Sequence, residues 1–321
     1  MGELDCMINN KIQTVCGEIY PEQLGHCQMH EHIFVRYTPA ADANSALCFD
    51  DEAKSIKELQ DYYRSGGTTM IDAQPWSAGR DIQALARLSR VSGVQIVAST
   101  GYHLLAFYSP DHWIHFADQH QLTDLFIREL TSGAECQDFR MIDPDLKAGI
   151  VKAAIPAEGP AGRYEILLRS AAQAAAFTGV PLLMHTEKGK NAIPAIRICV
   201  EEGLQTGHIV ICHADRQAED FSVHEEIAAT GVFLDYDTIH RLAYHDDQQE
   251  CRLISHMIEA GYCSKILLSL DTTAKRLRSY GGEIGLDYLL TTFLDQLLYF
   301  GISEENLHRM MRENPVRVFS L

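Results

Sequence analysis

Two histidines one residue apart, His30 and His32, can chelate a single ion when they lie on a strand, because alternate side chains share a face. Glu31 between them must then point the other way, towards the helix layer. In a chain with 15 histidines, such a pair can equally be two hydrogen-bonded or partly exposed imidazoles. Its weight comes from Lys152, His185, His213 and Asp271, each of which follows an apolar run. Imidazoles, a carboxylate and an amine converging on one mouth are the donors of a site that binds divalent ions and activates water. Asp271 would be a metal ligand and proton acceptor there, the alternative being a cap for the following helix. Lys152 is open to three chemistries. It could snorkel outward, act as a Schiff-base nucleophile, or take up CO₂ to become a carbamate that bridges two ions. Spacing does not choose among them, although neighbouring histidines favour the carbamate.

Something must bring these residues together. Eight short apolar segments recur along the chain, at residues 26–34, 68–72, 94–98, 148–152, 180–185, 208–213, 232–236 and 265–271. Glycines introduce several of them, and helical patterns fill the gaps, as at 53–64, 81–91, 163–177, 193–202 and 251–260. Strand–helix alternation implies parallel strands with crossover helices, and eight units predict a closed (β/α)₈ TIM barrel. Catalytic groups in that α/β fold sit at the C-terminal strand ends, where Lys152, His185, His213 and Asp271 fall. A doubly wound sheet is the alternative, but the glycine-rich phosphate loop it would want is missing. Residues 1–321 read as one domain: an N-terminal cap over 1–25 with a hairpin at 12–20, then barrel and closing helices over 26–321. Two such helices are predicted at 288–299 and 304–312, with Pro315 ending the second.

Composition narrows the partners. The 321 residues, 46% of them hydrophobic, can bury a sizeable core. The net charge of −17 argues against nucleic acid, while leaving room for an anionic small molecule if Arg or Lys lines the pocket. No apolar run approaches the roughly 20 residues of a membrane span, and the acidic first residues lack the order of a signal peptide. Nine cysteines without a C-x-x-C pair read as reduced thiols of a cytoplasmic protein.

Taken in order, the stretches Leu24-Gly25-His26-Cys27-Gln28-Met29-His30-Glu31-His32, Thr100-Gly101-Tyr102, Lys147-Ala148-Gly149-Ile150-Val151-Lys152, Val180-Pro181-Leu182-Leu183-Met184-His185, Gly207-His208-Ile209-Val210-Ile211-Cys212-His213 and Leu268-Ser269-Leu270-Asp271 carry a resemblance. Over nearly its whole length the chain resembles the phosphotriesterase-like family of the amidohydrolase superfamily, on its lactonase-like branch. The resemblance implies a ligand set. His30, His32 and Asp271 would hold the more buried ion, His185 and His213 the more exposed one, and carboxylated Lys152 with a hydroxide would bridge them. Zinc is the implied metal, with Mn²⁺ or Co²⁺ able to substitute. The phosphotriesterases proper carry a histidine after the strand-seven aspartate, whereas here Asp237 is followed by Thr238. That departure favours a lactonase acting on a sugar lactone, phosphorylated or not, over a phosphotriesterase or other carboxylic ester hydrolase. A Schiff-base lyase using Lys152 is the remote alternative. Tyr102 resembles a pocket tyrosine of the family, or packs at the rim. Arg241 is either an anion clamp or a solvated loop residue, and Lys275 and Arg276 read as surface. Relatives are often dimers, so a homodimer is implied.

Overall fold

The computed structural model describes residues 11–136 and 142–320. Eight parallel strands follow one another around a barrel in chain order: β1 (Cys27–Glu31), β2 (Thr69–Asp72), β3 (Gln95–Gly101), β4 (Ile150–Ala154), β5 (Leu182–His185), β6 (Ile209–Cys212), β7 (Phe233–Tyr236) and β8 (Ile266–Leu268). Helices α1 (Glu52–Arg64), α2 (Ile82–Ser92), α3 (Gln119–Thr131), α4 (Arg163–Thr178), α5 (Ala192–Glu201), α6 (Phe221–Ala229), α7 (Asp247–Glu259) and α8 (Leu294–Tyr299) follow the strands in turn. This is the predicted (β/α)₈ barrel. The start of the N-terminal cap, residues 1–10, lies outside the described residues. The rest of the cap pairs Ile12–Thr14 with Gly17–Ile19 as a hairpin. Val15 N–H donates to Ile96 O, tying that hairpin to the N-terminal end of β3.

Residues two apart along the strands sort into two layers. Cys27, Met29, Ile71, Val97, Ile150, Leu183, Val210, Phe233 and Leu267 fill the barrel. Their neighbours, such as Val151, Leu182, Ile211, Leu234 and Leu268, pack beneath the helices. The inward register continues from Ile150 to Lys152, from Leu183 to His185, and from Phe233 through Asp235 to Asp237, so apolar floor and polar mouth share one face. The helices are capped locally. Asp51, Asp81, Asp118 and Asp246 accept from the first-turn amides of α1, α2, α3 and α7. Gly93 and Gly179 close α2 and α4 in the left-handed conformation.

Four expectations need correction. Strand β4 runs on to Ala154, so Lys152 sits inside the strand, paired with Leu183, rather than at its end. An extra residue in β1, between Gln28 and Glu31 opposite Met70–Asp72, breaks strict alternation. Met29 and His30 therefore both turn inward, while Glu31, opposite His30 and His32, bonds across the β1–β8 seam rather than pointing into the helix layer. Pro315 does not stop the last helix. A wide turn at Arg309–Glu313 joins Glu304–His308 to Asn314–Phe319 and absorbs the missing amide. Finally, Arg276 is half-buried and donates to the carbonyls of Leu270, Asp271 and Ile239. All eight described cysteines are free thiols. Among the described residues no helix is long and apolar enough to cross a membrane.

The seam is closed chiefly by side chains. Ser269 Oγ accepts from Met29 N (2.9 Å) and His30 N (3.0 Å) and donates to Asp235. Glu31 accepts from Leu270 N at 2.7 Å and from the Thr272 hydroxyl at 2.9 Å. Burial pushes the Glu31 carboxyl up to about 8, against those hydrogen bonds.

Candidate metal centre

Asp237 ties together two imidazoles of the site. Its carboxylate is fully buried and accepts from His30 Nδ1 at 2.8 Å and His213 Nδ1 at 2.7 Å. A carboxylate acceptor puts the proton on Nδ1 of both rings, which leaves each Nε2 lone pair free for a metal. Burial works to raise the Asp237 carboxyl, but the His213 and His30 imidazoles hold it well below the usual range. Burial, and then Lys152, lowers His30 to about 4, so its ring is neutral as a ligand must be.

The free atoms converge. His30 Nε2 faces Lys152 Nζ at 3.2 Å and Asp271 Oδ1 at 3.8 Å, and His32 Nε2 lies 3.3 Å from the same Oδ1. Donor atoms of His30, His32 and Asp271 all fall within 4.8 Å of one another. Ring centroids continue the arc, 5.4 Å from His30 to His32, 4.9 Å from His30 to His213 and 4.4 Å from His213 to His185. His185 Nε2 meets Glu187 Oε1 at 3.0 Å. Lys152 is fully buried, which removes the outward-snorkelling reading.

Backbone strain aims two of these groups. His213 (φ 64°) and Asp271 (φ 47°) adopt the left-handed conformation that favours glycine. His213 N donates to Asp237 at 3.2 Å and Asp271 N donates to His30 O at 3.2 Å, so the surroundings hold both turns. Gly101 (φ +99°) serves Lys152 differently: a Cβ there would stand 2.0 Å from Lys152 O.

Over this arc opens a cavity of about 150 Å³. Leu47, Phe49, Leu104 and Phe107 form apolar walls, and Arg216 and Arg241 contribute guanidiniums. Both cations meet Asp271 Oδ2, Arg216 at 3.2 Å and Arg241 in close contact, and both lie over the Tyr244 ring, at 5.1 and 5.6 Å. Burial would raise the Asp271 carboxyl, but Arg241 foremost, then His213, hold it well below the carboxylate range.

The structure thus brings His30, His32, Lys152, His185, His213 and Asp271 to one mouth, with Arg241 at its rim. Tyr102 is not there. It is fully buried in the layer between barrel and helices, and its neighbour His103, stacked on Phe107 at 3.7 Å, takes the place at the cavity. Sequence reasoning also left Asp237, Arg216 and Glu187 without roles. For Asp237 the signal was present: it stands two residues from Asp235 on the face that Phe233 turns inward.

Residues 10–319 match the phosphotriesterase family. The chain belongs to that family. Membership identifies a hydrolase acting on ester bonds. Among curated relatives of this phosphotriesterase-family chain, a phospho-furanose lactonase of Mycoplasmopsis synoviae is 28% identical over 98% of this chain and 93% of its own length. An N-acetyltaurine hydrolase of Danio rerio is 26% identical over 97% of this chain and 98% of its own. The crystal structure of a lactonase from Listeria monocytogenes superposes with a TM-score of 0.88 at 28% identity, covering 97% of this chain and 99% of that one.

Proposed function

We propose that this member of the phosphotriesterase family is a two-metal lactonase that opens the ring of an anionic sugar lactone. One observation carries the reading: the Asp271 carboxylate stands between two imidazoles on Oδ1 and two guanidiniums on Oδ2. That places metal-binding donors and anion-binding donors side by side in one small cavity. Lactonase-named relatives support the reaction class.

The donors fit divalent ions. His30, His32 and Asp271 would hold an inner ion, and His185 and His213 an outer one. Zinc suits this imidazole-rich set, with Mn²⁺ or Co²⁺ as substitutes. An unpaired ammonium in the fully buried position of Lys152 is costly, whereas its carbamate would be an anion that two ions offset. Bound there, the ions would acidify a water and polarise the ester carbonyl. With Oδ1 turned to the ion held by His30 and His32, Asp271 would accept the proton on Oδ2 and return it to the departing ring oxygen. Arg216 and Arg241 would take the substrate's anionic group, leaving Asp271 Oδ2 as they turn towards it. Phe107 and Leu47 would exclude bulk water. Lys152 does not line the cavity, which disfavours a Schiff base to substrate.

The test is a pH-indicator screen of metal-loaded protein on phosphorylated and plain lactones, with phosphotriesters and acidic N-acyl amides as further arms. Phosphorylated lactones should give the highest kcat/KM, and chelation should abolish turnover. Arg241→Ala should raise KM for the anionic lactone about 10- to 150-fold, equivalent to one charge-assisted hydrogen bond of roughly 1.5–3 kcal/mol. Full activity after metal removal would sink the mechanism, and equal rates on neutral lactones would sink the substrate class.

A further inference from the structure

Behind β7 lies a second group of acid and imidazole side chains that the metal centre does not use. Asp215, His245 and Glu250 each offer a donor atom, and these atoms all lie within 4.8 Å of one another. All three residues are buried, Asp215 and Glu250 completely. They come from separate places: the turn after β6, the loop after β7, and the first turn of α7.

Backbone amides normally satisfy buried carboxylates. One oxygen here is satisfied in that way, since Asp215 Oδ2 accepts from Thr238 N at 2.6 Å. Asp215 Oδ1 and both oxygens of Glu250 have no hydrogen-bond partner. His245 Nε2 lies 3.1 Å from Glu250 Oε2, but out of hydrogen-bonding alignment. The same Nε2 is 3.2 Å from Thr238 Oγ1. Burial pushes the Glu250 carboxyl well up, and Asp215, Asp237 and Asp247 each add negative potential to it. Three undonated carboxylate oxygens in such a field need positive charge, and no Lys or Arg forms an ion pair with Asp215 or Glu250 among the described residues.

We propose that Asp215, His245 and Glu250 form a separate buried site for one divalent cation of the Zn²⁺ or Mn²⁺ class, with Thr238 Oγ1 beside them as a fourth donor. Two carboxylates and one imidazole match that class of ion. An ion about 2.1 Å from each donor holds tetrahedral donors about 3.4 Å apart, so donor atoms lying within 4.8 Å of one another need close by at most about 1.4 Å. The site shares no ligand with the catalytic ions. Its work is structural. It ties the turn carrying Arg216 and the loop carrying Arg241 to α7, and so fixes the rim on which an anion would be bound.

Anomalous diffraction at the zinc edge, on crystals of the intact protein grown with Zn²⁺, tests the site directly. A peak between Asp215, His245 and Glu250, separate from any at His30 and His185, is the expected result. Glu250→Gln should lose that peak and about one ion per chain by elemental analysis. Should this variant fail to fold, the wild-type map decides alone. Absence of the peak overturns the proposal. An infrared carboxylic-acid band that disappears in Glu250→Gln would then show that a proton, not an ion, fills the pocket. The catalytic ions occupy a different position in the same map, so failure of the two readings is told apart.

Discussion

On the proposed two-ion reading, replacing Asp237 by Asn should weaken the inner ion more than the outer one. The carboxylate gives one oxygen to each Nδ1 of His30 and His213, and Oδ1 also accepts from His213 N. An asparagine keeps a single oxygen, and the two donors of His213 will claim it. Its amide N–H then faces His30 Nδ1–H, donor against donor. The His30 ring escapes by moving its proton to Nε2, which removes the lone pair aimed at Lys152 and Asp271. Losing one charge-assisted hydrogen bond of roughly 2 kcal/mol corresponds to about 30-fold in affinity, within the 10- to 100-fold seen when partners of metal-bound histidines are removed. Zinc titration of metal-free protein against a chromophoric chelator reads both affinities, and circular dichroism confirms the fold. The expectation is a loss of about 30-fold in one class of site with the other changed less than about threefold. Two affinities within twofold of the unmutated protein would refute the claim that Asp237 sets the tautomers. So would selective loss of the ion held by His185 and His213.

Acid sensitivity follows from His26, which burial, helped by Arg312, lowers to about 3. Above the ordinary value of 6.5 the ring is neutral folded or unfolded. As pH falls below 6.5 only the unfolded chain takes the proton, so stability drops by about 1.4 kcal/mol per pH unit until about 3. In denaturant titrations, His26→Gln should make that slope shallower by one proton, and an unchanged slope would contradict it. Ser269→Ala orphans the amides of Met29 and His30 and should cost about 2–5 kcal/mol in chemical denaturation of metal-free protein. A cost under about 1 kcal/mol would mean that the seam closes without this hydroxyl. Gly101→Ala drives a Cβ to 2.0 Å from Lys152 O. It should destabilise by more than about 3 kcal/mol and, in whatever folds, lower zinc stoichiometry; normal stoichiometry and melting temperature would count against it.

The barrel is legible because apolar β-rich runs repeat eight times, several of them introduced by glycine, and because the period of two sends Leu183 and His185 to one face. The same rule holds for His30, Glu31 and His32 but breaks between Met29 and His30, which both face inward because of the extra residue in β1; a bulge depends on the partner strand and leaves no mark in local composition. Helix α3 is readable from its Asp118–Gln121 capping box and the spacing of Leu122, Leu125 and Phe126. Tyr102 is suggested for the pocket only by the family resemblance; past Gly101 (φ +99°) it is His103 that reaches the cavity. Arg216 and Glu187 fall in loops, where no periodicity says which way a side chain points. The missing amide of Pro315 predicts a helix end, but a helix that widens by one residue no longer needs that amide.

The side-chain seam between β1 and β8 has a consequence for biosynthesis. Glu31 and Thr272, which clasp across it, are 241 residues apart. At about 5–20 residues per second, a ribosome takes about 12–48 s to travel between them. Throughout that interval His30 and His32 have no Asp271 to meet, and β1 stands as an open edge. On the proposed two-ion reading, loading of an inner ion therefore waits until β8 and Asp271 have been made, and any stalled or truncated product ending before β8 offers a bare chelating pair in place of an enzyme.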